Sequence, residues 1–109
     1  MALEVTLEER REDGSSIVLL GQLDIYTVND FRNRVESLFS TDHPITVDLT
    51  GVDLIDSSGL AVLTRLASGR TPTLVCPNPA IVRLFAVTGL NRLFRIVSQM
   101  PSNAPSEAV

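Results

Sequence analysis

Four consecutive residues, Asp56, Ser57, Ser58 and Gly59, carry the most suggestive chemistry in the chain. A carboxylate followed by two hydroxyls and a glycine suits the start of a helix. Asp56 at the N-cap can accept a hydrogen bond from the backbone N–H of Ser58 or Gly59, with Ser57 and Ser58 opening the first turn. A helix start also presents unpaired N–H groups and a partial positive charge, both of which favour an anion there. A serine in that position is suited to receive a phosphate. Ordinary capping and a modifiable hydroxyl both fit these residues.

Hydrolytic chemistry fits poorly. A nucleophile elbow places glycine two residues before its serine, whereas Ile55 precedes Ser57 by two. The single histidine, His43, enters the next strand at its N-terminal end, while Ser57 follows that strand's C-terminal end. Five or six extended residues separate those ends by roughly 17–20 Å, against a hydrogen-bond reach of about 3 Å. A serine–histidine pair is thereby excluded. Gly-rich phosphate loops are absent, and direct nucleotide binding would rest on Asp-Ser-Ser-Gly alone. Asp24, Asp53 and Asp56 have no partner base or metal-ligand spacing and read as caps and solvated loop residues. No catalytic residue, metal site or cofactor is expected.

The flanking stretches position the four residues. Ile45, Val47 and Leu49 alternate with Thr46, Asp48 and Thr50, the period of a strand buried on at least one face. Beyond Asp56 the period becomes helical through Leu60, Leu63, Leu66 and Ala67, widened by Val62 and stopped at Gly69.

Upstream, Leu3, Val5 and Leu7 alternate with Glu4, Thr6 and Glu8, an edge strand with one wet face. Asp13-Gly14 turns the chain into the more apolar run SIVLLG at residues 16–21, predicting a hairpin. Asp24 then closes that strand ahead of a helix, where open α/β sheets place functional loops; it either braces the loop or takes part in recognition. Val28, Phe31, Val35, Leu38 and Phe39 form one face of that helix, with Thr27 and Asp30 spaced as a capping box. Tyr26, just before the cap, can anchor a partner or pack as a hydrophobic staple.

Downstream, residues 73–76 read as a short central strand, and Asn78-Pro79 as the start of a third helix with Ile81, Leu84, Phe85 and Thr88 inward. Gly89 ends that helix, Leu90 is placed for a Schellman contact, and residues 93–97 read as a last strand. The element order ββαβαβαβ requires right-handed crossovers, hence an α/β fold with a mixed, mainly parallel sheet. Residues 1–97 form one domain in this reading, and the proline- and serine-containing residues 98–109 a mobile tail.

The whole chain bounds the rest. Its 109 residues suffice for a single core. A net charge of −4 and a pI near 4.8 argue against a nucleic-acid surface, which needs clustered Lys and Arg. The charged N-terminus and the lack of a long apolar run predict a cytoplasmic protein with no membrane span. Cys76 stands alone, so no internal disulfide can form, and it reads as a small buried hydrophobe.

With these residues in place, the chain resembles STAS domains of the anti-sigma factor antagonist kind over nearly all of residues 3–97. The likeness rests on Gly21-Gln22-Leu23-Asp24, on Asp48-Leu49 followed by Val52, Ile55 and Asp56-Ser57-Ser58-Gly59-Leu60, and on Val82-Arg83-Leu84-Phe85 with Thr88-Gly89-Leu90. The resemblance implies partner switching. The unmodified antagonist binds an anti-sigma factor that is also a serine kinase, which frees the sigma factor, and phosphorylation then releases the antagonist. By position the phosphorylated serine is Ser57, with Ser58 as hydroxyl neighbour and helix cap. Asp24, Tyr26, Asp56, Ser57, Ser58, Gly59 and Ala61 are the expected partner-binding residues. Two departures stand out: Gln22 replaces the usual Glu, and the Pro-containing tail leaves the family's terminal helix short or absent. A STAS subunit bound to the ATPase of a lipid-transport complex is the alternative of the same fold.

Overall fold

Strand β1 (Leu3–Arg10) runs antiparallel to β2 (Gly14–Leu23), with Leu7 opposite Ile17, in a computed structural model that describes residues 3–10 and 14–100. There follow α1 (Val28–Val35) with a 3₁₀ turn at Glu36–Leu38, β3 (Ile45–Ile55), α2 (Ser57–Leu66), β4 (Thr73–Val75), α3 (Pro79–Thr88), a second 3₁₀ turn (Leu90–Leu93) and β5 (Arg95–Val97). The sheet order is β1-β2-β3-β4-β5, with β2 through β5 mutually parallel and β3 in the middle. Right-handed crossovers that step in one direction put every helix on the same face of the sheet. A single core results. Phe31 and Val35 of α1, Leu63 and Leu66 of α2, and Ile81 and Phe85 of α3 are buried with Ile17, Leu19, Val47, Leu49 and Leu74 of the strands. The expected α/β fold and element order are those found.

β3 is longer than its alternation foretold. The expected strand stopped near Thr50, because Gly51 and Asp53 break the period of two. Two register irregularities against β2, between Val18 and Leu20 and between Gly21 and Gln22, absorb the extra residues. The strand therefore runs on to Ile55, directly opposite Leu23. Both strands end at one level, which brings Asp24 and Asp56 together at the C-terminal edge of the sheet. Leu20 and Leu54 are left 46% and 43% exposed on the uncovered face.

Four further expectations are corrected. Thr27 makes no capping bond to its helix, because its hydroxyl is taken by Gln22 O and by the Asp24 N–H, so the capping box with Asp30 does not form. Thr88 is exposed, and its hydroxyl donates back to Leu84 O. The last strand starts at Arg95, because residues 90–93 wind into the 3₁₀ turn that delivers Phe94 edge-on to Phe85, centroids 5.5 Å apart. Leu38 and Phe39, expected on α1, fall in and just after the 3₁₀ turn that follows it, whereas two local signals hold: Asn78 Oδ1 accepts from Ala80 N–H, and Gly89 closes α3 at φ +79°. Most of the expected tail lies outside the described residues.

Side chains tie the sheet's remote end and its edge. Arg70 donates to Leu38 O, Thr41 O, Thr41 Oγ1 and His43 O, joining the α2–β4 connection to the α1–β3 connection. Arg34 of α1 donates to Val5 O of the edge strand at 2.9 Å.

Candidate functional site

Asp56 organises the site. Its backbone is extended, its N–H donates to Leu23 O at 3.1 Å, and its Oδ1 accepts the N–H of Ser58 at 2.9 Å and of Gly59 at 3.2 Å. It is the helix N-cap, as expected. The expectation that Ser58 caps the helix is corrected: Ser58 is the second helical residue, half-buried, and gives its N–H to Asp56. The second oxygen, Oδ2, reaches across to the β2–α1 loop and accepts the Ile25 N–H at 3.0 Å. One carboxylate thus holds two loops.

Gly59 makes that closeness possible. A Cβ at this position would lie 2.6 Å from Leu23 Cγ and 3.0 Å from Leu23 O. The first turn of α2 rests on the end of β2 only because no side chain intervenes. Gly59 is accordingly buried, and what it lends the surface is position.

Asp24 braces the other loop. Its Oδ1 accepts the N–H of Tyr26 at 2.9 Å and of Thr27 at 3.2 Å, while its own N–H donates to the Thr27 hydroxyl at 3.0 Å. Thr27 is buried, and its hydroxyl donates to Gln22 O at 2.8 Å. This Asx-type turn leaves the intervening apolar side chains outside. Tyr26 is 88% exposed and Ile25 62%, so Tyr26 is no staple.

Ser57 is exposed as the first residue of α2, and its hydroxyl makes no hydrogen bond among the described residues. Ala61, one turn on, is exposed as well. The site is therefore a free hydroxyl beside a capped helix start, flanked by an exposed aromatic and an exposed aliphatic side chain. The Asp56 carboxylate occupies two of the N–H groups that would otherwise meet an anion.

The chain's single histidine is remote from Ser57. His43 lies before β3, its Nε2 3.3 Å from Ser15 Oγ, and the eleven residues of β3 separate it from Ser57 by about 33 Å. No cluster of three His, Cys, Asp or Glu among the described residues could hold a metal ion. No helix among them is long and apolar enough to cross a membrane. Cys76 is buried, and burial pushes its thiol up from the ordinary value, opposed by the Asn78 backbone.

The family model described as "Mlab, STAS domain" matches residues 7–98. The chain belongs to the STAS domain family. An "Anti-sigma-B factor antagonist" from Listeria monocytogenes serovar 1/2a is 29% identical to this STAS domain over 103 residues, spanning 88% of this chain and 90% of the relative. Among solved structures, an anti-sigma factor antagonist from Mycobacterium paratuberculosis superposes with a TM-score of 0.79 at 19% identity, covering 91% of this chain and 88% of that one. The anti-sigma factor antagonist SpoIIAA in its unphosphorylated form gives 0.68 at 18% identity, covering 96% and 97%. The Bacillus cell fate determinant SpoIIAA in the phosphorylated form gives 0.62 at 22%, covering 96% of each chain. At these identities the solved structures speak for the fold of the STAS domain.

One site residue escaped the sequence reading. Ile25 was not singled out, yet the dipeptide Ile25-Tyr26 between Asp24 and Thr27 carried a signal. Two consecutive apolar residues inside an Asx turn have no core-facing position to occupy.

Proposed function

We propose that this STAS domain is an anti-sigma factor antagonist, which binds an anti-sigma factor with serine kinase activity, frees a sigma factor, and is released when Ser57 is phosphorylated. The observation that carries the reading is the free, exposed hydroxyl of Ser57 beside the exposed Ile25 and Tyr26. The relatives named as anti-sigma factor antagonists support the role, and the phosphorylated form of SpoIIAA supports the switch. In the transfer, Ser57 Oγ attacks the γ-phosphorus of a nucleoside triphosphate. The new P–O bond forms as the bond to the diphosphate breaks, and the hydroxyl proton passes to a base of the kinase. The STAS domain supplies only the acceptor and its presentation.

Magnitudes favour a switch that spares the fold. A phosphate adds roughly −1.5 to −2 charges. A helix start offsets it by about 0.3–2 kcal/mol, whereas a carboxylate about 8 Å away opposes it by roughly 2 kcal/mol per unit charge. For such a phosphate the opposition comes to about 3–4 kcal/mol, which the helix start offsets in part and solvent screening reduces further on an exposed surface. Within an interface an unpaired anion costs several kcal/mol, and about 4 kcal/mol is roughly a thousandfold in affinity. Partner contact through the α2 start and the β2–α1 loop would therefore be lost on modification while the core stays intact.

Capture of partners from native lysate, with mass spectrometry of bound proteins and modified serines, tests the reading. A small ATP-binding anti-sigma factor and phosphate on Ser57 are expected. Recovery of a membrane transport ATPase in its place would move this STAS domain to the lipid-transport alternative.

A further inference from the structure

The Ile25 amide has a single support. Within the β2–α1 loop, Asp24 holds the amides of Tyr26 and Thr27, and the carbonyl of Asp24 accepts from Thr27 and Val28. Ile25 N–H is held from outside the loop, by Asp56 Oδ2 at 3.0 Å. The other oxygen of that carboxylate caps α2 through Ser58 and Gly59. Because the two oxygens are rigidly joined, a rotation that weakens one set of bonds weakens the other.

We propose that Asp56 is a positioning residue that couples the charge on Ser57 to the pose of the loop bearing Ile25 and Tyr26. Negative charge on Ser57 lies one residue from the Asp56 carboxylate and competes for the same helix-start N–H groups. Repulsion and competition turn the carboxylate away, and Oδ2 leaves the Ile25 amide. The apolar pair then loses the anchor that fixes its direction. A partner would meet a repelling charge and a loosened apolar knob from the same event. The regulatory meaning of the coupling rests on the function proposed above, but the coupling itself is a property of the isolated chain.

Amide hydrogen exchange by NMR on the full chain tests it. Asp56→Ser retains a good N-cap with one oxygen and removes the second. Ile25 exchange should rise about three- to tenfold, the loss of one charge-assisted bond at an exposed site, while Ser58 and Gly59 stay within about twofold. A purely structural role for Asp56 would move Ser58 and Gly59 together with Ile25. Ser57→Glu, with Asp56 intact, should also raise Ile25 exchange and lower the fluorescence anisotropy of Tyr26, the chain's only tyrosine in the absence of tryptophan. Unchanged Ile25 exchange in either variant, or uniform loss of protection across the three amides in Asp56→Ser, would overturn the coupling. If Asp56→Ser does not fold, Ser57→Glu alone decides. Coupling without any anti-sigma partner in lysate would refute the proposed function and keep this inference; a captured partner without coupling would do the reverse.

Discussion

Asp56 and Ile25 stand 31 residues apart in the chain, yet the carboxylate of the first accepts the amide of the second at 3.0 Å. That bond exists because β2 and β3 run parallel and finish together at Leu23 and Ile55. The sheet register therefore decides which loops share a surface. The β2–α1 and β3–α2 loops do, and between them they present a hydroxyl, an aromatic and an aliphatic side chain.

The first prediction concerns charge at the hydroxyl. Ser57→Ala should bind the anti-sigma factor like the parent chain and resist phosphorylation. Ser57→Asp should weaken binding by about a hundred- to a thousandfold, following the cost of an unpaired interfacial anion. Its melting temperature should stay within about 3 °C, since Ser57 is exposed and its hydroxyl makes no hydrogen bond among the described residues. Titration calorimetry and thermal melts check both, and a large stability loss in Ser57→Asp would contradict an interface-only effect.

A second prediction separates affinity from stability. Tyr26→Ala should lower partner affinity by at least tenfold, as expected for a central aromatic anchor, and Ile25→Ser by a smaller factor. Neither should shift the urea midpoint appreciably, because both side chains project into solvent. Equal losses of binding and of folding stability would place Tyr26 in a packing role.

The third prediction reverses that pattern. Gly59→Val should destabilise the fold by about 1–3 kcal/mol, the usual range for overpacking, since its side chain must displace Leu23. Chemical denaturation reads the cost. Gly59→Val should also lift α2 from the end of β2, and Ile25 exchange would rise with it.

Alkaline stability supplies the fourth. The Cys76 thiol is raised by burial, so above about pH 8.5 the unfolded chain releases its proton before the folded chain does. Stability attributable to this group is complete below the unfolded value and falls as pH climbs toward the folded one. Cys76→Ala should flatten that alkaline decline in urea titrations, at the cost of a small packing loss at all pH values. The native thiol should likewise react slowly with an aqueous disulfide reagent, and quickly once the chain is unfolded.

Much of this was readable residue by residue. Asp56, Asn78 and Gly89 act within one turn of their own positions, so their types sufficed to foretell the caps. Alternation through Ile45, Val47 and Leu49 marked the middle strand for the same reason. Features that depend on a second segment were hidden. The Thr27 hydroxyl looked like a cap until Gln22 O and the Asp24 N–H were found to claim it. β3 seemed to end at Thr50 because its bulges make sense only beside Leu20 and Gln22. The last strand lost Leu93 to a 3₁₀ turn and Phe94 to the bend that follows, an arrangement that seats Phe94 on Phe85 and so involves another element. Within the site, Ser57 and Asp56 were legible from their neighbours, but the bridge to Ile25 required the parallel register.

The bond from Arg34 to Val5 O bears on how copies of this protein behave in a crowded solution. A lone outer strand is an adhesive border, since any extended chain can zip onto its unused backbone groups. A guanidinium parked on the carbonyl of the third of that strand's eight residues interrupts the zipper where an intruder would need continuity. Removing Arg34 should leave the molecule folded but sticky, gathering into soluble oligomers at high concentration.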